Sequence, residues 1–253
     1  MKNIYLISVL TLFTTFCFSQ KFVDKAVIEF EVNTNLKKMM SENSWSEKMK
    51  ETMSDLKTSY YTYAFADNKS VFKFDRWSPK TRIPKYEKDE DEENVWYFDL
   101  NSKLATMQKQ VAGTNFVMTD SLMKIDWKIT NENREITGYN CRKAVGKIFG
   151  DVYVFAFYTD EIMISGGPCS INGLPGMILG LTIPRLHTSF VATKVDLKNI
   201  AATEIVPVKA KKVYTEKELR TTLTDVTKDW FTYGDDEAEK KKRKDLFFWN
   251  AFL

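Results

Sequence analysis

A single histidine, His187, lies downstream of two cysteines, Cys141 and Cys169, with Met163 and Met177 between them. Thiolate, imidazole and thioether are the donors that select a soft ion such as Cu(I). Cys141, Cys169, His187, Met163 and Met177 therefore form one candidate metal set, with copper as its cofactor. A simpler reading joins Cys141 to Cys169 as a disulfide, leaves His187 as an ordinary polar residue and requires no cofactor. A third makes Cys169 a nucleophile and His187 its base, with Arg185 supplying positive surroundings. Nothing in the spacing places those groups within hydrogen-bond reach, and the nearby Asp160 and Glu161 are equally unplaced. The balance of these readings favours a non-enzymatic protein.

The same arithmetic removes larger classes of chemistry. With one histidine, a His-Glu-x-x-His metal site cannot be built within one chain. Only ten glycines occur among 253 residues, and neither G-x-G-x-x-G nor G-x-x-x-x-G-K-[ST] is present. Lys plus Arg number 37 against 34 acids, a formal charge of +3, so no basic excess points to nucleic acid. The acidic run Glu87 to Glu93 lacks the ligand spacing of a calcium loop.

The N-terminus reads as an address. Residues 1–19 carry a lysine at position 2, an apolar run from Ile4 to Phe18, and Ser19 at a cleavage-compatible position. The expectation is cleavage near Ser19/Gln20 and an exported, periplasmic or outer-membrane-associated protein, with no transmembrane segment in the mature chain. Cys17 leaves with the signal, and the remaining even pair, in an oxidising compartment, is the basis of the disulfide reading. Closing that loop would contribute on the order of 3 kcal/mol.

Period then sets the elements that must position these residues. Ala26 to Val32 alternates apolar and acidic residues, the mark of a half-buried strand. Asn33 to Lys57 changes to helical spacing: Leu36, Met39 and Met40, then a capping box at Ser44-x-x-Glu47 followed by Met49, Met53 and Leu56. Strand patterns return at Ser59 to Phe65, Ser70 to Phe74 and Val95 to Leu100, with Trp77 to Asn94 expected as a loop. Short strands separated by turn signals continue from Lys103 to Phe157, and again at Leu179 to Ile183 and Ser189 to Val195. This order predicts an antiparallel meander. Beyond it, Thr215-x-x-Glu218 caps a helix with Leu219, Leu223, Val226 and Trp230 in a stripe. Acids ahead of Lys240 to Lys244 mark another helix, which ends in LFFWNAFL and is expected to dock on the sheet. The division expected is signal 1–19, β domain 20–212 and helical extension 213–253.

The most specific stretch runs from Gly138 to Ile183. It contains Gly138-Tyr139-x-Cys141-x-Lys143-Ala144, Tyr158-Thr159-x-Glu161-Ile162, Gly167-Pro168 and Gly173-Leu174-Pro175-Gly176-Met177-Ile178. With Trp127-Lys128 upstream, this ordered set resembles the GLPGLI family of exported Gram-negative proteins, departing from it at Met177. The resemblance implies an exported, β-rich envelope protein and no particular activity. Its shape is similar to the curved sheets of periplasmic lipoprotein carriers. The fold expected is thus mainly β (α+β), a large curved antiparallel sheet with an early helix and C-terminal helices packed on it. The function expected is binding of an apolar ligand or an envelope partner protein. Gly167, Pro168, Gly173, Leu174, Pro175 and Gly176 either shape tight turns or present backbone N–H groups to that ligand.

Overall fold

The computed structural model describes residues 25–39, 53–197, 205–232 and 236–253. Among the described residues, eleven strands form one antiparallel open sheet: β1 (Lys25–Asn35), β2 (Leu56–Ala66), β3 (Lys69–Trp77), β4 (Val95–Asp99), β5 (Leu104–Val111), β6 (Thr114–Ser121), β7 (Lys128–Ile136), β8 (Tyr139–Ile148), β9 (Val152–Thr159), β10 (Met177–Ile183) and β11 (Thr188–Asp196). Their order is β6-β5-β4-β3-β2-β1-β11-β10-β9-β8-β7. Two meanders, β2 to β6 and β7 to β11, therefore meet across β1, which pairs with β2 on one side and β11 on the other. The expected mainly β architecture is the one observed.

Alternation decides which face is inner. On β1, Ala26, Ile28, Phe30 and Val32 are buried, while Glu29 and Glu31 lie on the outer face. The inner face curls strongly. Phe72 on β3 and Phe190 on β11 are three strands apart, which on a flat sheet would be roughly 14 Å. Their ring centroids are 6.3 Å apart. Phe72 is fully buried and also meets Tyr61 at 4.9 Å, Trp96 at 5.4 Å and Phe30 at 5.9 Å. The edges are managed in two ways. Tyr214 exchanges backbone hydrogen bonds with Val117 and Thr119 along β6, and β7 carries Lys128, Glu132, Arg134 and Glu135 in an exposed row.

Helices close the inner side. α1 (Leu36–Met39) is a single turn; α2 is Lys85–Glu92, α3 Glu216–Val226 and α4 Glu237–Phe252. The Thr215 capping box forms as expected, with Glu218 N donating to Thr215 Oγ1 and Thr215 N to Glu218 Oε2. Leu219 and Leu223 are buried, but Val226 and Trp230 are exposed, so only half of that stripe packs. Phe248, Ala251 and Phe252 of α4 pack on α3, while Leu253 enters the core of the sheet.

Two expectations are corrected. The loop at Trp77 to Asn94 contains a helix, α2, started by Pro84, whose carbonyl accepts from Lys88 N, and braced by the Lys85–Asp89 pair at 2.8 Å. It buries no residue, so it leaves no apolar period to read. Of the early helical region, α1 is the part that the described residues show as helix. Met53 lies at a bend and Leu56 opens β2, while Met40, the Ser44-x-x-Glu47 box and Met49 lie outside the described residues, as does segment 1–19.

Phe72→Ala removes the hub of this aromatic cluster. It should cost about 3–5 kcal/mol in urea unfolding, with the slope of the transition unchanged.

Candidate functional site

The polar residues of the inner face collect at one end of the sheet. Lys57 shares the inner face of β2 with Ser59 and Tyr61, and Asn94 precedes Trp96 on the same side of β4. On β5 the inner positions are Met107, Lys109 and Val111, so a lysine stands between two buried apolar residues. Asp91 arrives from α2 and pairs with Lys57 at 2.8 Å, both side chains about one-fifth exposed. Tyr61 Oη donates to the Asp91 carbonyl at 3.4 Å, and Asn94 Oδ1 accepts from Gln110 N at 3.4 Å.

Lys57, Tyr61, Asp91, Asn94, Trp96 and Lys109 line a cavity of about 80 Å³, together with Val32, Thr34, Cys169, Phe190 and Leu253. Lys57, Asp91, Asn94, Lys109 and Asn250 also line an adjoining groove of about 540 Å³, bordered by Glu87, Glu90 and α4. The cavity thus opens through a polar neck into a groove between the sheet and the last helix. The chamber is apolar in its floor and charged at its mouth, the composition of a site for an amphipathic ligand.

Burial sets the ionisation here. It lowers the Lys109 ammonium below the ordinary lysine value, with Cys169, Asp91 and Glu90 pulling the other way and Lys57 adding to it. The ammonium lies 4.8 Å from the Trp96 ring centroid, and no ion pair joins it to a carboxylate among the described residues. Burial raises the Glu87 and Glu90 carboxyls and pushes the Cys169 thiol up to about 12. Cys169 is therefore a protonated thiol at neutral pH.

The residues selected in the sequence are distributed differently. Cys141 and Cys169 are both buried and free, so the expected disulfide is not formed. Cys141 Sγ donates to the Tyr139 carbonyl and feels Glu161, whereas Cys169 feels Lys109 and Asp91. His187 occupies a left-handed position after the single 3-10 turn at 184–186 and faces Lys38 and Lys242. Cys141, Cys169 and His187 do not converge into a group able to hold a metal ion; Met177 is fully buried and Met163 is exposed. No nucleophile–base pair forms between Cys169 and His187.

The Gly-Pro turns serve packing. Gly167, Pro168, Leu174 and Gly176 are buried, and only Gly173 and Pro175 are exposed. At Gly176, φ is +154° and a Cβ would overlap the Thr159 carbonyl; at Gly166 a Cβ would overlap the Tyr63 hydroxyl. Trp127 Nε1 donates to the Asn172 carbonyl at 2.9 Å, tying the upstream Trp-Lys block to the motif. Of this stretch, Cys169 lines the chamber, and Ser170 Oγ reaches the Leu253 main-chain oxygen at its end.

The sequence reading does not select Lys57, Asp91, Asn94, Trp96 or Lys109. A signal for Lys109 exists, since Ala105, Met107, Lys109 and Val111 form one face of a strand and the lysine breaks its apolar run. No comparable signal marks Asp91, whose position follows from α2.

Residues 91–235 match the family model described as N-glycanase peptide, N-terminal domain. Among the solved structures that resemble the chain are two of PNGF-II. The one in space group C2 is 16% identical, with TM-score 0.51 over 81% of this chain and 33% of that one. The one in space group P21 is 14% identical, with TM-score 0.50 over 79% and 33%. At such identities the likeness is one of fold, and the chain spans about a third of the length of these structures. No curated protein matches the chain.

Two outcomes test the site. At pH 8, Cys141 and Cys169 should resist iodoacetamide in the folded protein and react fully in denaturant without reductant. A requirement for reductant would restore the disulfide. Lys109→Met should be more stable than the parent at neutral pH. A lowered lysine means that the unfolded chain binds more protons between the folded value and 10.5, so parental stability rises with pH across that window. The variant's advantage should therefore shrink as melts are taken from pH 8 to 10.5; a constant gap would contradict it.

Proposed function

Because the chain belongs to the family of the N-glycanase peptide N-terminal domain, we propose that it works as a non-enzymatic binding module, with the chamber as its site. The observation that carries this reading is the apolar inner face left open through a groove under α4. That face is floored by Tyr61, Trp96 and Phe190 and reached past Asn250. An apolar ligand, or an apolar segment of an envelope partner, is the occupant such a surface fits. Buried thiols and a histidine held apart from them support binding over turnover.

Export is part of the same proposal, supported by the lysine and apolar run of residues 1–19. Among the described residues, no helix is long and apolar enough to cross a membrane. Assignment to the GLPGLI type also belongs here. Its support is the ordered motif set from Trp127 to Ile178, which lies inside the matched span and is used in this fold for close packing.

An apolar naphthylamine fluorophore titrated into the full chain should bind once, with energy transfer from tryptophan. Asn250→Trp, which places bulk at the neck from an exposed helix position, should weaken it by about tenfold or more, roughly 1.4 kcal/mol. Absence of binding, or indifference to Asn250→Trp, would overturn the reading.

A further inference from the structure

The inner cavity has features that apolar binding alone does not use. Two hydrogen-bond donors converge on one acceptor oxygen at its end. Trp96 Nε1 donates to the Leu253 main-chain oxygen at 2.6 Å, and Ser170 Oγ donates to the same oxygen at 3.3 Å. The Lys109 ammonium lies over the same indole.

Among the side chains that line the cavity, charge is unbalanced. Its lining includes two lysines, Lys57 and Lys109, and one carboxylate, Asp91. Asp91 is engaged by Lys57 at 2.8 Å, and among the described residues the half-buried Lys109 has no ion pair. Glu87 and Glu90 line the outer groove and not the cavity. A cation removed from water and facing a cavity gains most from an anion that enters it. The Leu253 side chain lines the same cavity, so an apolar group already sits beside the held oxygen.

We infer that this cavity is the head-group end of a site for an apolar carboxylate, in which Lys109 pairs with the acid and Trp96 and Ser170 donate to it. Leu253 is the in-chain occupant that such a ligand displaces. The inference rests on the chamber being the binding site, as proposed above, and adds the class of ligand. A fatty acid and the apolar C-terminal residue of a peptide present this chemistry equally, an anionic carboxylate on an apolar body.

The test uses two matched pairs on the full chain: octanoate against octanol, and N-acetyl-Phe-Leu against its amide. The parent should bind at least one acid about tenfold or more tightly than its uncharged partner, the scale of a desolvated charge pair. Lys109→Met should abolish that preference while keeping the affinity for the uncharged partner. Trp96→Phe, which keeps a ring and removes the N–H, should weaken the acid selectively while the lysine itself is retained. Leu253→Ser, which shortens the occupant, should tighten both members of the pair. Preference confined to octanoate identifies the lipid source, and preference confined to the dipeptide identifies the peptide source.

Equal binding of acid and uncharged partner by the parent, or preference surviving in Lys109→Met, overturns the inference and leaves the chamber proposal standing. Failure of all four compounds, and of the naphthylamine fluorophore, overturns both.

Discussion

The pairing of β1 with β11 is the constraint on which the rest of the structure depends. Val27 to Thr34 register against Asp196 to Thr188, and this contact joins two otherwise separate meanders into one sheet. Long-range pairing of this kind carries a large closure entropy, which only extensive burial can offset. The inner residues of β1 supply that burial. Phe30 and Val32 bring the β2 and β3 aromatics up against Phe190, and the curl they impose creates the chamber. Thr34 and Thr188, hydroxyls 2.9 Å apart, close the pairing at the chamber end. The site is therefore a product of the seam, with walls drawn from both halves of the chain.

The chamber also shows where the sheet accepts a cost. An inner face that was apolar throughout would pack more favourably than one holding Lys57, Asp91 and Lys109. The Lys57–Asp91 pair fixes α2 against β2, which gives two of these charges a structural role. Lys109 joins no ion pair among the described residues, and its neighbours on the inner face of β5, Met107 and Val111, are buried and apolar. Polar groups retained at a cavity against the packing preference of their strand are the mark of a site. By contrast, the Gly-Pro motif, the most specific stretch of the sequence, does its work by close approach. Gly166 and Gly176 let the 160–176 excursion lie against Tyr63 and Thr159, delivering Cys169 to the chamber wall and Ser170 to the Leu253 oxygen.

Much of the fold was legible because period and capping are local. AVIEFEV alternates in the chain as it does in β1, and Thr215 with Glu218 forms the cap that their spacing announces. What was not legible depends on tertiary placement. α2 has no buried face, so its acids read as loop until Pro84 and the Lys85–Asp89 pair are seen in place. Cys141 and Cys169 suggested a bond from their number alone, while the sheet sends one toward Glu161 and the other toward Lys109. The candidate site was the least legible part, because it comes from five different strands, a turn and two helices. Lys109 alone left a trace, as the polar member of an apolar face.

The central claim places the ligand between the inner face and the last helix, and not at the Gly-Pro turn. The tryptophan indole N–H signals separate these two places in one nuclear magnetic resonance titration of the tryptophan-labelled protein with octanoate. Trp96 lies in the chamber wall and Trp249 on the helix that covers it, whereas Trp127 is bonded to the motif turn and Trp77 contacts Glu92 outside the cavity. The account predicts that the Trp96 and Trp249 resonances move in a saturable way while Trp127 and Trp77 stay fixed. Movement of Trp127 alone, or of none of the four, would contradict it.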